Sequence, residues 1–362
     1  KVEAPPTSRI IASKIINDAE TRKKAASNPL NRNKRSIVLD LKEKDGIKIL
    51  HQLCQKADVF IEGFRPEVVT RLGCNYETIK EINPSIIYCS ISGYGQTGPY
   101  KDLVGHDVNY ISVGGALGLI GSKNGTPSIP YNLIADFAAG GMNAAYSIVC
   151  ALFSRTNTGR GQKIDTSMSD GVTYLLSAIS GEYFNSGLIP KPGQMTLNGG
   201  VPYYNVFECQ DGKYISLGCI EPNFWKNLCS TLNLEQFASS QHNEHEYQLI
   251  MRELEATFKT KKRDEWWDIF REAEDVAAAP VYEFNEVLDD PHMKARNMFI
   301  EAGSVDGAVI TQVGFGSKLT DTPGAVRNLG TIPGAHSENI LKEIGYSADE
   351  IKKMVDSEVV FT

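Results

Sequence analysis

Three residues in this sequence have side chains that can act as acid or base and lie beside apolar segments or a helix start: His106, Asp136 and Glu221. His106 lies between the small residue Gly105 and the acidic residue Asp107, just before an apolar run. Asp136 follows Leu-Ile-Ala and opens the apolar segment FAAGGMNAAYSIV, and Glu221 precedes a proline. Histidine and carboxylate side chains at such positions can take up and return protons near neutral pH.

Each of the three also has an ordinary structural interpretation. His106 could be a satisfied residue at the edge of a core, and Asp136 could be the N-cap of the helix that follows it. Glu221 could be a first-turn acid of the helix that Pro222 begins. Spacing alone leaves the catalytic and structural interpretations open.

Other kinds of site are less well supported. No G-x-G-x-x-G follows the first predicted strand and no P-loop pattern occurs, which argues against dinucleotide and nucleoside triphosphate sites. The closest histidine pair, His242 and His245, lies in a polar, acidic stretch typical of a solvated surface. The seven cysteines are scattered without a C-x-x-C, so we predict no metal site, no disulfide framework and a reducing compartment.

The composition is that of a soluble globular protein. The 362 residues are 41% hydrophobic and 22% charged, and their formal net charge is −7. An acidic surface argues against nucleic acid and anionic membranes as partners. The apolar stretches, such as 143–153, fall short of the roughly 20 residues that a bilayer requires, so we expect no membrane-spanning segment.

Strands and helices are predicted to alternate along the first half of the chain. This pattern is typical of an α/β fold with a mainly parallel, Rossmann-like sheet. The predicted strands are 36–42, 57–62, 85–92 and 162–167, and the predicted helices are 44–56, 66–81, 105–121 and 136–155.

The second half of the chain predicts a hairpin followed by helices and not alternating strands and helices. An Asp211-Gly212 turn between aromatic-rich runs predicts a hairpin, and amphipathic helices follow near 222–233, 246–258 and 262–272. We therefore predict two domains. The large α/β domain takes residues 1–190 and 320–362, the small α+β domain takes 200–305, and the linkers are 191–199 and 306–319.

Four segments together resemble one known family. They are GFRPEVVTRLG, SGYGQTGPYKDLVGHDVNY, LIADFAAGGMNAAYSIV and NGGVPYYNVFECQDGKYISLGCIEPNFW. In these segments, and collinearly from residue 31 to the C-terminal region, the chain resembles the α-methylacyl-CoA racemases of the family III CoA-transferase superfamily.

The resemblance implies a racemase that inverts the C2 centre of 2-methyl-branched acyl-CoA thioesters through an enolate. It implies His106 and Asp136 as the two proton carriers on opposite faces of that carbon, with Glu221 hydrogen-bonding near the aspartate across an interlocked homodimer. It also implies no separate cofactor, since coenzyme A is part of the substrate. Residues implied at the coenzyme A phosphates are Lys42, Arg65 and Arg71, and those at the thioester are Asp107, Tyr110 and Asn132.

Two departures from the family pattern and two rival functions accompany this prediction. The sequence starts at Lys-Val-Glu, so we expect the family's first βα unit to be absent, and Ala4 stands where an arginine is common.

One rival is a CoA-transferase in which Asp136 attacks the thioester and forms an anhydride. Transferases usually lack a histidine at the position of His106, which favours the racemase. The other rival is a truncated, non-catalytic acyl-CoA-binding protein.

The C-terminal Val-Val-Phe-Thr is not a peroxisomal signal of the S-K-L type. We expect an intracellular protein, peroxisomal or mitochondrial in a eukaryote and cytoplasmic in a bacterium.

Overall fold

The computed structural model describes residues 1–5 and 18–361, in which strands and helices alternate. The strands are β1 Val2–Glu3, β2 Ile37–Leu39, β3 Val59–Glu62, β4 Ile87–Ser92, β5 Gln162–Ser167, β6 Tyr204–Glu208, β7 Tyr214–Gly218, β8 Ala278–Val281, β9 Phe299–Val305, β10 Ala308–Val313 and β11 Val360–Phe361.

The helices are named in chain order, and one of them is a π-helix at Leu133–Met142, between α5 and α6. The α-helices are α1 Ala19–Ser27, α2 Lys44–Cys54, α3 Val68–Leu72, α4 Tyr76–Ile82, α5 Asp107–Val113, α6 Asn143–Thr158, α7 Met168–Leu175, α8 Ser177–Ser186, α9 Pro222–Thr231, α10 Tyr247–Phe258, α11 Arg263–Glu272, α12 Phe284–Val287, α13 Pro291–Ala295, α14 Ser337–Glu343 and α15 Ala348–Asp356.

The described strands form four small sheets, in the orders β1-β2-β11, β3-β4-β5, β6-β7-β8 and β9-β10. β1 runs parallel to β2, with Val2 opposite Ile37, whereas β11 pairs with β2 in the antiparallel direction, with Val360 opposite Leu39. The β6-β7-β8 sheet is an antiparallel meander. The alternating strands and helices and the parallel pairing of β1 with β2 agree with the predicted α/β class, and β6 and β7 confirm the predicted hairpin.

The chain divides into two compact units, and the first contains the segments Lys1–Cys89, Ile148–Ile164 and Phe284–Thr362. Its central core lies around β2, where burial of apolar side chains supplies most of the stabilisation. The buried members of that core are Ile37, Leu39, Ile49, Ile340, Leu341, Ile351, Met354, Val359 and Val360.

Helix α2 begins very close to the end of β2. A Cβ atom added at Gly46, in the first turn of α2, would lie 2.0 Å from the carbonyl oxygen of Asp40. Because that oxygen belongs to the backbone, it cannot move aside as a side chain would, and glycine is required there. This approach brings the β2–α2 connection, which carries Lys42, against the start of the helix.

The second unit contains Ser90–Ser147 and Asp165–Glu283 and has two cores. In the larger core the inner face of the β6-β7-β8 sheet packs against α9, α10 and α11, and Phe207 stacks on Phe258 with ring centroids 5.1 Å apart. The smaller core joins α5, the π-helix and α7 through Ile111, Ala135, Ala139 and Val172.

Small residues make the smaller core tight. A Cβ atom at Gly171 would lie 2.8 Å from the Cβ of Ala139, so α7 and the π-helix approach as closely as their backbones allow. This contact fixes the π-helix that carries Asp136.

Several predicted elements are confirmed with shorter bounds, and two are corrected. The predicted helix 66–81 is two helices, α3 and α4, because Gly73 takes a left-handed conformation with φ +72° and ends the first. The predicted linker 306–319 contains strand β10, which pairs with β9 across an Asp306-Gly307 turn. The predicted domain boundaries themselves stay a prediction.

One helical run is longer than the sequence indicated. The π-helix and α6 together form a run of 26 residues, Leu133–Thr158. The most apolar 18-residue window of this run has a mean hydropathy of 1.4, and 22% of that window is buried. By length and composition alone, this run could cross a membrane. The expectation that every apolar stretch is too short was therefore wrong, because the polar residues that interrupt it do not end the helix.

Candidate functional site

His106 is the N-cap of α5 and its imidazole is exposed. Its backbone N–H donates to the Asn109 side-chain oxygen at 3.1 Å, which fixes the start of the helix. The ring itself has no hydrogen bond to any described residue. Interpreting His106 as a packed core residue is therefore wrong, and the imidazole is available for proton transfer.

Tyr110 holds the loop that carries His106. Its hydroxyl donates to the carbonyl oxygen of Gly105, and its ring lies against the backbone of Gly93. A Cβ atom at Gly93 would lie 2.1 Å from the Tyr110 ring carbon Cε1. Tyr110, which was predicted to line the thioester site, thus stabilises the loop that carries His106 through its contacts with Gly105 and Gly93.

Asp136 lies in the first turn of the π-helix, three residues after its first residue, Leu133. The N-cap position belongs to Asn132, so interpreting Asp136 as the N-cap is wrong. The cap comes from a distant residue instead. The Asp107 carboxylate oxygen Oδ2 accepts the backbone N–H groups of Ala135 at 2.8 Å and of Asp136 at 2.9 Å.

Asp107 is therefore the link between the two predicted proton carriers. It follows His106 directly in the chain and hydrogen-bonds to the backbone of Asp136, while only 5% of it is exposed. A buried carboxylate at a helix N-terminus is stabilised by the N–H groups and the dipole there. The sequence pointed to Asp107 as a thioester residue and did not reveal this role.

Asn132 is the second residue that contacts Asp136. Its Nδ2 donates to Asp136 Oδ2 at 3.0 Å. The preceding residue, Tyr131, has φ +59°, a left-handed conformation that a tyrosine rarely takes. Strained backbone of this kind persists where surrounding structure requires it, often at functional sites.

Glu221 stands apart from these groups in the contacts that the structure shows. It is the exposed N-cap of α9, before Pro222, and its carboxylate makes no hydrogen bond within the described residues. Nearby Cys219 is buried, and burial raises the pKa of its thiol to about 11. That thiol is therefore protonated at neutral pH and is a poor nucleophile. The predicted contact between Glu221 and the aspartate stays a prediction.

The first unit contains a cavity of about 880 Å³ beside β2 and α2. Its walls are partly apolar and partly charged, and the charged residues are the basic Lys42, Lys44 and Arg71 and the acidic Glu3, Asp40 and Glu43. Lys42 and Arg71 both line it, whereas the exposed Arg65 does not. The complete lining is Val2, Glu3, Ala4, Pro5, Leu39, Asp40, Leu41, Lys42, Glu43, Lys44, Ile47, Phe64, Val68, Arg71 and Leu72.

The run GYGQTG at 93–98 has the glycine spacing of a dinucleotide-binding loop, but no helix follows it directly. The next helix is α5, which begins at Asp107. Gly93 makes room for the Tyr110 ring, and Gly95 takes φ +85° against Ser167. These glycines serve packing, and the run lacks the strand–turn–helix context of a phosphate site.

In residues 1–5 and 18–361, no three His, Cys, Asp or Glu side chains are arranged to hold a metal ion. The candidate chemistry in the described chain therefore consists of the His106 imidazole, the Asp136 carboxylate and the cavity that Lys42 and Arg71 line.

Comparison with known proteins places these features in a family. Residues 1–337 match the model of CoA-transferase family III. The alpha-methylacyl-CoA racemase of Mus musculus is 37% identical over 337 residues, which cover 92% of this chain and 87% of the relative. The Homo sapiens enzyme of the same name is 36% identical over 334 residues, with 91% and 86% covered.

A solved structure agrees with the fold. A CAIB/BAIF family protein from Brucella suis superposes with a TM-score of 0.73 at 27% identity, over 87% of this chain and 82% of that one. The predicted family and fold class are confirmed.

Proposed function

Since the chain belongs to CoA-transferase family III, whose matched relatives include racemases, we propose that it is a racemase of 2-methyl-branched acyl-CoA thioesters. The broader statement, an enzyme that acts on acyl-CoA, follows from the family. The finer one depends on the geometry around His106 and Asp136.

One observation carries the proposal. Asp107 adjoins His106 in the chain and accepts the backbone N–H of Asp136, so a single buried carboxylate connects the start of α5, which bears His106, to the π-helix, which bears Asp136. The His106 ring and one oxygen of the Asp136 carboxylate have no hydrogen-bond partner among the described residues. An accessible base and an accessible acid held by one hydrogen bond suit proton transfer to and from a carbon.

Inversion at C2 needs two carriers. One side chain removes the α-proton, the electron pair of the C–H bond moves into an enolate of the thioester, and the other side chain delivers a proton to the opposite face. A single base would return the proton to the face it came from. His106 and Asp136 exchange roles between the two enantiomers, so His106 is neutral when it accepts and Asp136 is protonated when it donates.

The cavity of the first unit is the proposed site for the coenzyme A nucleotide. Lys42, Lys44 and Arg71 supply positive charge for its phosphates, and Phe64 and Leu41 supply apolar surface for its base. Ala4 also lines the cavity, without the charge that the family commonly has there. We propose that no additional cofactor is used, because the thioester itself makes the α-proton removable.

The test is solvent exchange. Each pure enantiomer of a 2-methylacyl-CoA is incubated with the enzyme in heavy water, and NMR follows deuterium at C2 together with optical purity. A racemase gives deuterium uptake and loss of optical purity for both enantiomers. Acyl transfer to an added carboxylic acid without exchange would instead support the transferase, in which Asp136 forms an acyl anhydride. Binding without either reaction would support the non-catalytic reading.

We also propose a homodimer in which Glu221 reaches the partner's site. An apolar stripe on α6 within the first unit supports it: Val149 and Phe153 lie one helical turn apart and are 64% and 71% exposed. A second copy of this chain would cover the stripe.

Sedimentation velocity tests this assembly. The wild type is expected to sediment as a dimer, and the change Val149→Glu with Phe153→Glu should shift it to monomer, because two buried charges disfavour the interface. Leu30→Glu, a change at another exposed apolar residue, is the control. A monomeric wild type that binds lipid vesicles would show instead that the stripe faces a membrane.

A further inference from the structure

We infer that Asn132 is a positioning residue that selects Oδ1 of Asp136 as the oxygen that moves the proton. This inference rests on the proposed function and extends it to a residue predicted only as a wall of the thioester site. The contact that carries it is the 3.0 Å hydrogen bond from Asn132 Nδ2 to Asp136 Oδ2.

The two Asp136 oxygens have different surroundings. Oδ2 is occupied by the Asn132 amide, whereas Oδ1 has no partner among the described residues and is reached by solvent. A carboxylate that is held at one oxygen cannot rotate freely about its last torsion, so the other oxygen points in one direction. Proton abstraction from carbon depends on such alignment.

The orientation of the Asn132 amide follows from chemistry. An ionised carboxylate only accepts hydrogen bonds, so the NH₂ group and not the oxygen must face Asp136. The consequence is that Asn132 Oδ1 is buried with no partner, as is Asp107 Oδ1. Buried acceptors without partners are rare in native proteins. Asn132 thus leaves its own oxygen without a partner while its Nδ2 holds Asp136 Oδ2.

In the reaction, Asp136 Oδ1 takes the α-proton of one enantiomer, and the C–H electron pair forms the enolate. The Oδ2–Asn132 bond persists throughout, because Oδ2 is not the oxygen that is protonated. For the opposite enantiomer, His106 removes the proton and the same Oδ1 donates one.

The test uses Asn132→Ala and the near-isosteric Asn132→Asp, which removes the donor. Exchange at C2 in heavy water is measured for each enantiomer separately, and the His106→Ala variant identifies the enantiomer that Asp136 serves. For that enantiomer we expect kcat of exchange to fall about 10- to 100-fold with KM changed less than about threefold. Abstraction from the His106 face should change far less.

Asn227→Ala is the control, because Asn227 Nδ2 donates to the backbone oxygen of Glu274 elsewhere in the same unit. It should leave both exchange rates unchanged. Equal loss for both enantiomers in a folded Asn132 variant, or no loss, overturns the inference.

A second measurement does not depend on turnover. In the wild type, the NMR signals of the Asn132 side-chain amide should follow the titration of Asp136, and in Asp136→Asn this dependence should disappear. If the wild type catalyses no exchange, the proposed function fails while this titration still decides the inference. An Asn132 amide signal insensitive to Asp136 contradicts it for any reaction.

Discussion

Replacing His106 or Asp136 by alanine is expected to slow inversion severely while leaving one-sided proton exchange for one enantiomer. Loss of either carrier should lower the racemisation rate by about 10²- to 10⁴-fold, the usual contribution of a positioned acid or base. With one carrier per face, His106→Ala keeps only abstraction by Asp136, and Asp136→Ala keeps only abstraction by His106. Deuterium uptake for each pure enantiomer in each variant measures this bias.

Controls for this result are His292→Ala and Asp268→Ala, which remove an exposed histidine and an exposed aspartate elsewhere. Both should keep full activity. The structural alternative, in which the two residues only support the fold, predicts activity loss in proportion to a lower melting temperature. Equal residual exchange of both enantiomers in a stable variant would disprove the assignment of one carrier to each face.

Removing Arg71 is expected to weaken binding of coenzyme A thioesters without slowing the chemical step. The guanidinium lines the cavity of the first unit, and a hydrogen bond between charged groups contributes roughly 1.5–3 kcal/mol. Arg71→Ala should therefore raise KM about 10- to 100-fold and leave kcat nearly unchanged, because the lost contact stabilises ground state and transition state alike. Steady-state kinetics with an acyl-CoA measure both constants.

Arg65→Ala provides an internal comparison. The sequence pattern predicts a phosphate contact for Arg65 as well, but its exposed side chain is outside the cavity lining, so we expect a smaller rise in KM. Arg296→Ala, at an exposed site in the same unit, should change neither constant. A collapse of kcat at constant KM in Arg71→Ala would show that the nucleotide binds elsewhere.

Local patterns in the sequence predicted much of the secondary structure. Apolar runs of strand length marked β2 to β4, and the Asp211-Gly212 turn marked the β6–β7 hairpin. The Asp306-Gly307 turn carries the same signal, and the strand after it alternates between exposed and buried residues, but the surrounding Gly, Pro and Thr residues obscured it. The linker prediction was wrong because it gave more importance to the Gly, Pro and Thr content of the segment than to this turn and alternation.

The site was predictable only in part, for a physical reason. The carboxylate of Asp107 accepts the backbone N–H groups of Ala135 and Asp136, which are 28 and 29 residues away in the chain, and no periodicity connects such positions. The π-helix around Asp136 is equally hidden, because its hydrogen bonds span one residue more than those of an α-helix, a difference that apolar spacing over ten residues does not resolve. Family resemblance identified the residue types, and only the fold showed which atoms they hold.

The position of β2 between β1 and β11 has a consequence for biosynthesis. Val360 pairs with Leu39, far earlier in the chain, so a ribosome must deliver every residue between them before this sheet can close. Until then the apolar face of β2 has incomplete cover, and long-range pairings of this kind form slowly. The second unit draws its residues from the middle of the chain and can assemble earlier. Chaperones that shield apolar strands during translation would therefore act mainly on the first unit.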